Sequence, residues 1–254
     1  METSAAVVVP GRRLGKLPPR YDPRTLRLAR YIEKRKLPKI PKTHTLSKKT
    51  LAAFPSLGMF RNDQLGDCTC ASIGHAFQTW RAFGSSAPAA PTDADVVALY
   101  DKVNGGKDEG ANMLDVLNKL RSDGLGGDKI RAFVAITPTN HDQVRTAHLL
   151  FGGIYFGANL PVTAQAQENG LWDPVEGNGS EPGSWGGHAM NIVDTKQSEL
   201  VAVTWGHLQR ISWSWWDRYV DEAYAILEED WIGDDRRSPQ GFSLGKLEAD
   251  IKGL

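Results

Sequence analysis

The chain has 254 residues, with 30 basic and 30 acidic side chains and a formal net charge of zero. That balance excludes strong non-specific adhesion of the whole protein to nucleic acid or an anionic membrane, and 41% apolar with 9% aromatic residues excludes a disordered chain. Two cysteines exclude a disulfide framework, and no run approaches the ~18 apolar residues of a membrane span.

In chain order, residues 1–37 read as a basic, extended N-terminal arm with a short helix. Arg12, Arg13, Lys16, Arg20, Arg24, Arg27 and Arg30 are opposed there only by Glu2, Asp22 and Glu33. The apolar run Ala5 to Val9 has no basic segment before it and is too short for a signal-peptide core. The expectation is cytoplasmic synthesis, with the arm lying on an acidic body. The spacing of Leu26, Leu28, Ala29 and Ile32 predicts a helical stripe. "LPKIPKTHTL" reads as extended, because proline disfavours helix before and within it.

From Asp67 to about Gly84 the pattern is that of a buried helix, with Asp67 as its cap. "TDADVVALYDKV" opens with a capping-box pair, Thr92 and Asp95. "MLDVLNKLRSDG" is an amphipathic helix stopped by Gly124. Then the character changes. "KIRAFVAI", "GGIYFGANLPV", "HAMNIVD", "ELVAVTW", "QRISW" and "EAYAIL" read as strands, with a helix capped by Asn140 and a long Gly-rich loop among them. Helices first and strands second make an α+β chain. We read one unit over 38–254, with a helical lobe mainly over 60–127 and a strand-rich lobe mainly over 128–232.

The two cysteines, Cys68 and Cys70, lie in "LGDCTCAS". Cys68 falls in the first helical turn, where the helix dipole favours thiolate, while Asp67 beside it opposes ionisation. Cys70 lies roughly 200° further around the helix, so the two side chains diverge. They are too ill-placed for a disulfide, and with His75 they lack the ligand count and spacing of a metal site. Both can equally be small buried hydrophobes. A nucleophilic cysteine needs a base. Of six histidines, His141 and His148 fall in a polar helical segment and read as solvated, and His75 lies two turns from Cys68. His188 follows "GSWGG" and opens an apolar strand, a position suited to the mouth of a cleft or to a structural role.

The order Gly66-Asp67-Cys68 at a helix start, then Gly187-His188-Ala189-Met190, then Thr204-Trp205-Gly206, resembles the papain-like cysteine peptidases, in a divergent bacterial or phage form. "DEGANMLDVLNKLRSDGLGG" resembles that family's Gly-containing substrate rim and following helix. The resemblance spans about residues 55 to 230. It implies a two-lobe fold, a helical lobe carrying the cysteine on a central helix and a strand-rich, barrel-like lobe. It implies Cys68 as nucleophile, His188 as general base and acid, Gly110, Gly187 and Trp205 at the substrate cleft, a peptide or protein substrate, and neither metal nor cofactor. Two positions depart from the family. Its oxyanion glutamine falls on Asn62, with Gln64 as an alternative. Its asparagine falls on Val203, which cannot orient an imidazole; Thr204 next to it offers at best a hydroxyl, on the opposite face by strand alternation. A peptidase or amidase, a papain-fold protein with impaired catalysis and a binding role, and another thiol acyl-transfer enzyme are all compatible with these residues. No membrane or nucleic-acid partner is expected.

Overall fold

The computed structural model describes residues 11–32, 38–85 and 87–228. After a single short turn of helix, α1 (Ala29–Ile32), the chain enters strand β1 (Thr43–Thr45) and helix α2 (Ser47–Ala53). Three helices follow: α3 (Cys68–Gly84), α4 (Asp93–Asn104) and α5 (Met113–Ser122). The second half holds β2 (Ala132–Ile136), α6 (His141–Phe151), β3 (Ile154–Leu160), a 3-10 turn (Val162–Gln167), β4 (Leu171–Trp172), β5 (Gly186–Lys196), β6 (Glu199–Thr204), β7 (His207–Ser212), α7 (Trp213–Tyr219) and β8 (Val220–Leu227).

The strands form one sheet in the order β2-β8-β3-β5-β6-β7-β4, with β1 paired to the far end of β5. All pairs are antiparallel except β4 with β7. The sheet is built around β5, an eleven-residue strand buried from His188 to Thr195. Helix α3 packs along β5. Nearly all of α3 is buried, including Ile73, Ala76, Phe77 and Trp80, so it is the central helix between α2, α4 and α5 and the sheet. The Trp80 indole N–H donates to Phe151 O at 3.1 Å, and the Tyr155 hydroxyl donates to Thr69 O at 3.0 Å, tying the helix to the second half of the chain.

The caps at Thr92–Asp95 and Asn140 form as the sequence pattern predicts. Several expectations change. Asp67 occupies the N-cap position of α3, but its side chain makes no cap bond. Its ψ of 17° is not extended, and its backbone carbonyl accepts from Cys70 N at 2.7 Å and Ala71 N at 2.9 Å. The predicted helical stripe from Leu26 begins only at Ala29. Leu26 and Leu28 instead exchange backbone bonds with Ala135, because β2 is an edge strand with a free side. His148 is fully buried rather than solvated: α6 turns that face onto the sheet, where His148 Nδ1 lies 3.0 Å from His44 Nδ1 and 3.4 Å from Thr195 Oγ1. Glu228 is buried too, whereas the other acids of its cluster lie outside the described residues. The aromatic run 213–219 is a helix capped by Ser212, and Trp215, Trp216 and Tyr219 are core.

Candidate active site

Cys68 opens α3 and His188 is the third residue of β5, so the packing of that helix on that strand brings them to one place. Both line a narrow cavity of about 10 Å³ with Asn62, His75, Ala189, Val203, Thr204 and Trp205, space for roughly one water. His188 Nε2 lies 2.7 Å from Thr204 Oγ1. Its Nδ1 is buried without a hydrogen-bond partner among the described residues. The imidazole stacks on the Trp205 indole, 4.2 Å between ring centres and 17° between planes. Trp205 has a φ of 44°, a left-handed backbone for a bulky residue and a local cost of order 1–3 kcal/mol. This bend ends β6 and sets the indole over the histidine.

The third-position question resolves by register. Val203 pairs with Asn191 across β5–β6 and joins an apolar cluster with Phe54, Leu57, Ala82, Val193 and Val201. Thr204, the last residue of the strand, supplies the hydroxyl at the imidazole. Asp217, a distant alternative, bonds His141 at 2.7 Å instead, and Asp194 holds Ser47 and Leu46 at the start of α2.

Asn62 lines the cavity, is 2% exposed, and donates one amide hydrogen to Leu65 O at 3.1 Å. It is preceded by two left-handed residues, Phe60 (φ 50°) and Arg61 (φ 71°). Gln64 is exposed and donates to Asp63 at 3.2 Å, away from the cysteine. Cys70 is fully buried in the core cluster.

The basic arm, expected to lie on an acidic body, fills the cleft. Residues 12–18 of the arm run between Gly110-Ala111 on one side and Gly187 on the other. Gly15 N and Lys16 N donate to Gly187 O at 3.3 and 3.1 Å, Ala111 N donates to Gly15 O at 2.8 Å, and Leu17 N donates to Ala111 O at 3.0 Å. Glycine is required at both walls: a Cβ on Gly110 would lie 2.3 Å from Gly15 O, and one on Gly187 would lie 2.2 Å from Lys16 O. The Trp205 indole N–H donates to Arg13 O at 3.3 Å, and the Arg12 guanidinium sits 5.4 Å over the same ring. Cations of the arm meet carboxylates of the body: Arg12 with Glu168, Arg13 with Asp108, Lys16 with Asp221 and Glu222, and Arg20 with Asp115. Asp108 also accepts from Gly66 N at 2.7 Å and from the Tyr100 hydroxyl at 2.9 Å, joining the loop before Cys68 to the cleft rim. The basic composition of the arm was visible in sequence. Its path was not, because the pairing is backbone to backbone.

Covered in this way, the site is buried. Burial pushes the Cys68 thiol up to about 12; the amides of Ala189 and Gly15 and the Lys16 charge pull against this, and Asp67 adds to it. Burial pushes His188 down to about 3, with Arg12, His207 and His75 adding to the effect. Burial likewise raises Asp67 to about 8. Asn62 lies beside that carboxyl, yet its Nδ2 is given to Leu65, and both Asp67 oxygens are buried without a hydrogen-bond partner among the described residues. Burial thus favours a neutral thiol and a neutral imidazole on the wall of one cavity.

The fold can now be compared with known ones. No family model and no curated protein matches the chain in sequence. Xylellain, a cysteine protease from Xylella fastidiosa, superposes over 88% of this chain and 100% of its own, with a TM-score of 0.64 at 14% identity. The chain has a papain-like fold. Digestive procathepsin L2 proteinase from Tenebrio molitor larval midgut matches 85% of this chain and 78% of its own (TM-score 0.60, 9% identity). The procathepsin B S9 of Trypanosoma congolense matches 86% and 87% (TM-score 0.58, 11% identity). At these identities the likeness concerns the fold, and the chemistry has to be argued from the site.

Proposed function

We propose that the protein is a papain-like cysteine peptidase or amidase, and that its arm-seated conformation is a resting form. The observation that carries this reading is the buried His188 imidazole on the wall of the Cys68 cavity, held at Nε2 by Thr204 and with Nδ1 left without a partner. On this reading His188 Nδ1 takes the thiol proton and Sγ of Cys68 attacks the substrate carbonyl carbon. The C–O π electrons move to the oxygen, facing the Cys68 N–H and the second amide hydrogen of Asn62. Collapse breaks the C–N bond, the imidazolium returns the proton to the leaving amine, and water hydrolyses the thioester. Thr204 fixes the ring tautomer, the task a carboxylate or amide performs in comparable triads. Gly110, Gly187 and Trp205 flank the substrate path that the arm now occupies.

A papain-fold protein with impaired catalysis is the second reading, favoured by the hydroxyl in place of an asparagine. The other thiol acyl-transfer reading needs a carboxylate at the imidazole, and the bond to Thr204 argues against it. The test is alkylation of the intact protein by iodoacetamide across pH 4 to 9, with peptide-amide hydrolysis in parallel. Expected are Cys68 reactivity well below the ~8.5 of a free thiol once the arm is displaced, its loss in His188→Ala, and no turnover by Cys68→Ser. Cys68 reactivity indifferent to His188 would sink the peptidase reading.

A further inference from the structure

The Lys16 side chain leaves the cleft line and enters the body. Its side chain has no exposed surface, and Nζ lies 2.8 Å from Asp221 Oδ2 and 3.3 Å from Glu222 Oε1. The receiving pocket is prepared by the body alone. Asn159 Nδ2 donates to Asp221 Oδ2 at 3.0 Å, and the Tyr224 hydroxyl donates to Glu222 Oε2 at 2.8 Å. Neighbouring residues of a strand ordinarily face opposite ways. Here the β3–β8 register shifts at Gly157/Ala158, so that Gly157 pairs with Glu222 and Ala158 with Val220, leaving Asp221 unpaired and both carboxyls on one ammonium. Gly157 keeps the floor clear: a Cβ there would lie 2.0 Å from Lys16 Cε and 2.7 Å from the Met113 sulfur.

The pocket also has acceptor capacity that Lys16 does not use. Asp221 Oδ1 is buried without a hydrogen-bond partner among the described residues, and Glu222, whose Oε1 is held only at 3.3 Å, is 6% exposed. Two carboxylates around one ammonium leave an excess negative charge, which a guanidinium with five donors would use more fully.

We propose that this pocket is a specificity site for lysine or arginine side chains of peptide substrates, and that Lys16 is its resident occupant. The assignment of a substrate rests on the peptidase reading above; the pocket's preference for a basic side chain does not. The arm is seated without being poised for attack. The Gly15 peptide lies with its N–H beside the cysteine sulfur, and the Gly15 carbonyl is committed to Ala111 N. It occupies the pocket as a competitor rather than as a substrate.

The test has two arms that fail separately. In the full-length Lys16→Ala protein, a fluorescent peptide of sequence GRRLGKLPPR is titrated against the same peptide with norleucine in place of the lysine. The lysine peptide should bind at least about tenfold tighter, as expected for a charge-assisted contact. Adding Asp221→Asn and Glu222→Gln should cut that preference to less than about threefold. Lys16→Arg, which keeps a cation in the pocket, should retain the wild-type melting temperature and serves as the folding control. Equal binding of the two peptides would overturn the pocket assignment, whatever catalysis shows. In the second arm, peptide amides carrying lysine, arginine, norleucine or phenylalanine at successive positions are hydrolysed by the same proteins. A basic preference at one position, lost in the double variant, supports the proposal. Turnover without that preference overturns it and leaves the peptidase reading standing. Basic-selective binding without turnover keeps the pocket and removes the enzyme.

Discussion

The contact between Gly15 and Gly66 offers a way to open the cleft without touching the candidate catalytic residues. A Cβ on residue 15 would lie 1.8 Å from Gly66 O, a backbone atom that cannot swing aside. In Gly15→Ala the arm must move by more than 1 Å. Four backbone bonds hold residues 15–17 in this seat, from Gly15 N and Lys16 N to Gly187 O, from Ala111 N to Gly15 O, and from Leu17 N to Ala111 O. At about 0.5–1.5 kcal/mol net each, their loss weakens the seat by roughly 2–6 kcal/mol. At 1.4 kcal/mol per decade, the open population rises by at least ~30-fold, up to the point where the open form dominates. The assay is the rate of iodoacetamide incorporation at Cys68, read by peptide mass spectrometry. Cys70 is the internal control: it is 0% exposed in the core and should stay unlabelled. A Cys68 rate equal to wild type, in a variant with an unchanged melting temperature, would refute the claim that the arm is what shields the thiol. Equal labelling of both cysteines would report unfolding instead.

Two further outcomes are expected. In Thr204→Val the imidazole loses its 2.7 Å partner, and with the arm opened by Gly15→Ala, Cys68 alkylation near neutral pH should slow by roughly tenfold, the worth of one hydrogen bond to an ionising group, with Thr204→Ser retaining the rate. Asp67, raised to about 8 by burial, binds its proton more tightly in the folded state than in the unfolded one, so stability should be greatest below pH 4 with respect to this group and fall as pH rises toward 8, by at most about 6 kcal/mol; Asp67→Asn should flatten that part of a urea-denaturation pH profile, and an unaltered profile would show that the carboxyl is solvated.

The fold was legible where the sequence pattern and the packing agree. Helix α3 is marked by its apolar spacing, and β5 by an apolar run behind a Gly-rich loop; their encounter at Cys68 and His188 was implied by the family resemblance. Thr204 was harder. Anchoring on Trp205-Gly206 selects Val203 for the third position, and strand alternation then turns Thr204 to the other face. That other face is the one on which the imidazole lies, while Val203 faces the Phe54 and Leu57 cluster. The path of the arm was illegible for a different reason. Its pairing partners are the backbones of Gly187 and Ala111, and backbone pairing leaves no side-chain signature beyond the small residues that permit it. Asp221 and Glu222 belong to the acidic body on which the arm was expected to lie; the bulge at Gly157/Ala158 turns both onto Lys16.

The shielding acts through solvation rather than through a covalent or steric block on the sulfur alone. With the arm seated, the same burial that raises the thiol to about 12 lowers the imidazole to about 3, so both effects oppose proton transfer between them. On the proposed reading, opening the cleft admits water to both groups and relaxes both shifts toward an ion pair. Acid works in the same direction. His188 is held neutral in the closed form, so its contribution to the closed state is complete above its unfolded value of about 6.5 and declines as pH falls toward 3. Glu222, raised by burial and lowered by Lys16, gives up its charge at higher pH than an exposed glutamate, and the Lys16 tether weakens as it does. On the proposed reading, one arm therefore couples three events: release of a basic side chain from its pocket, hydration of the site, and ionisation of the cysteine.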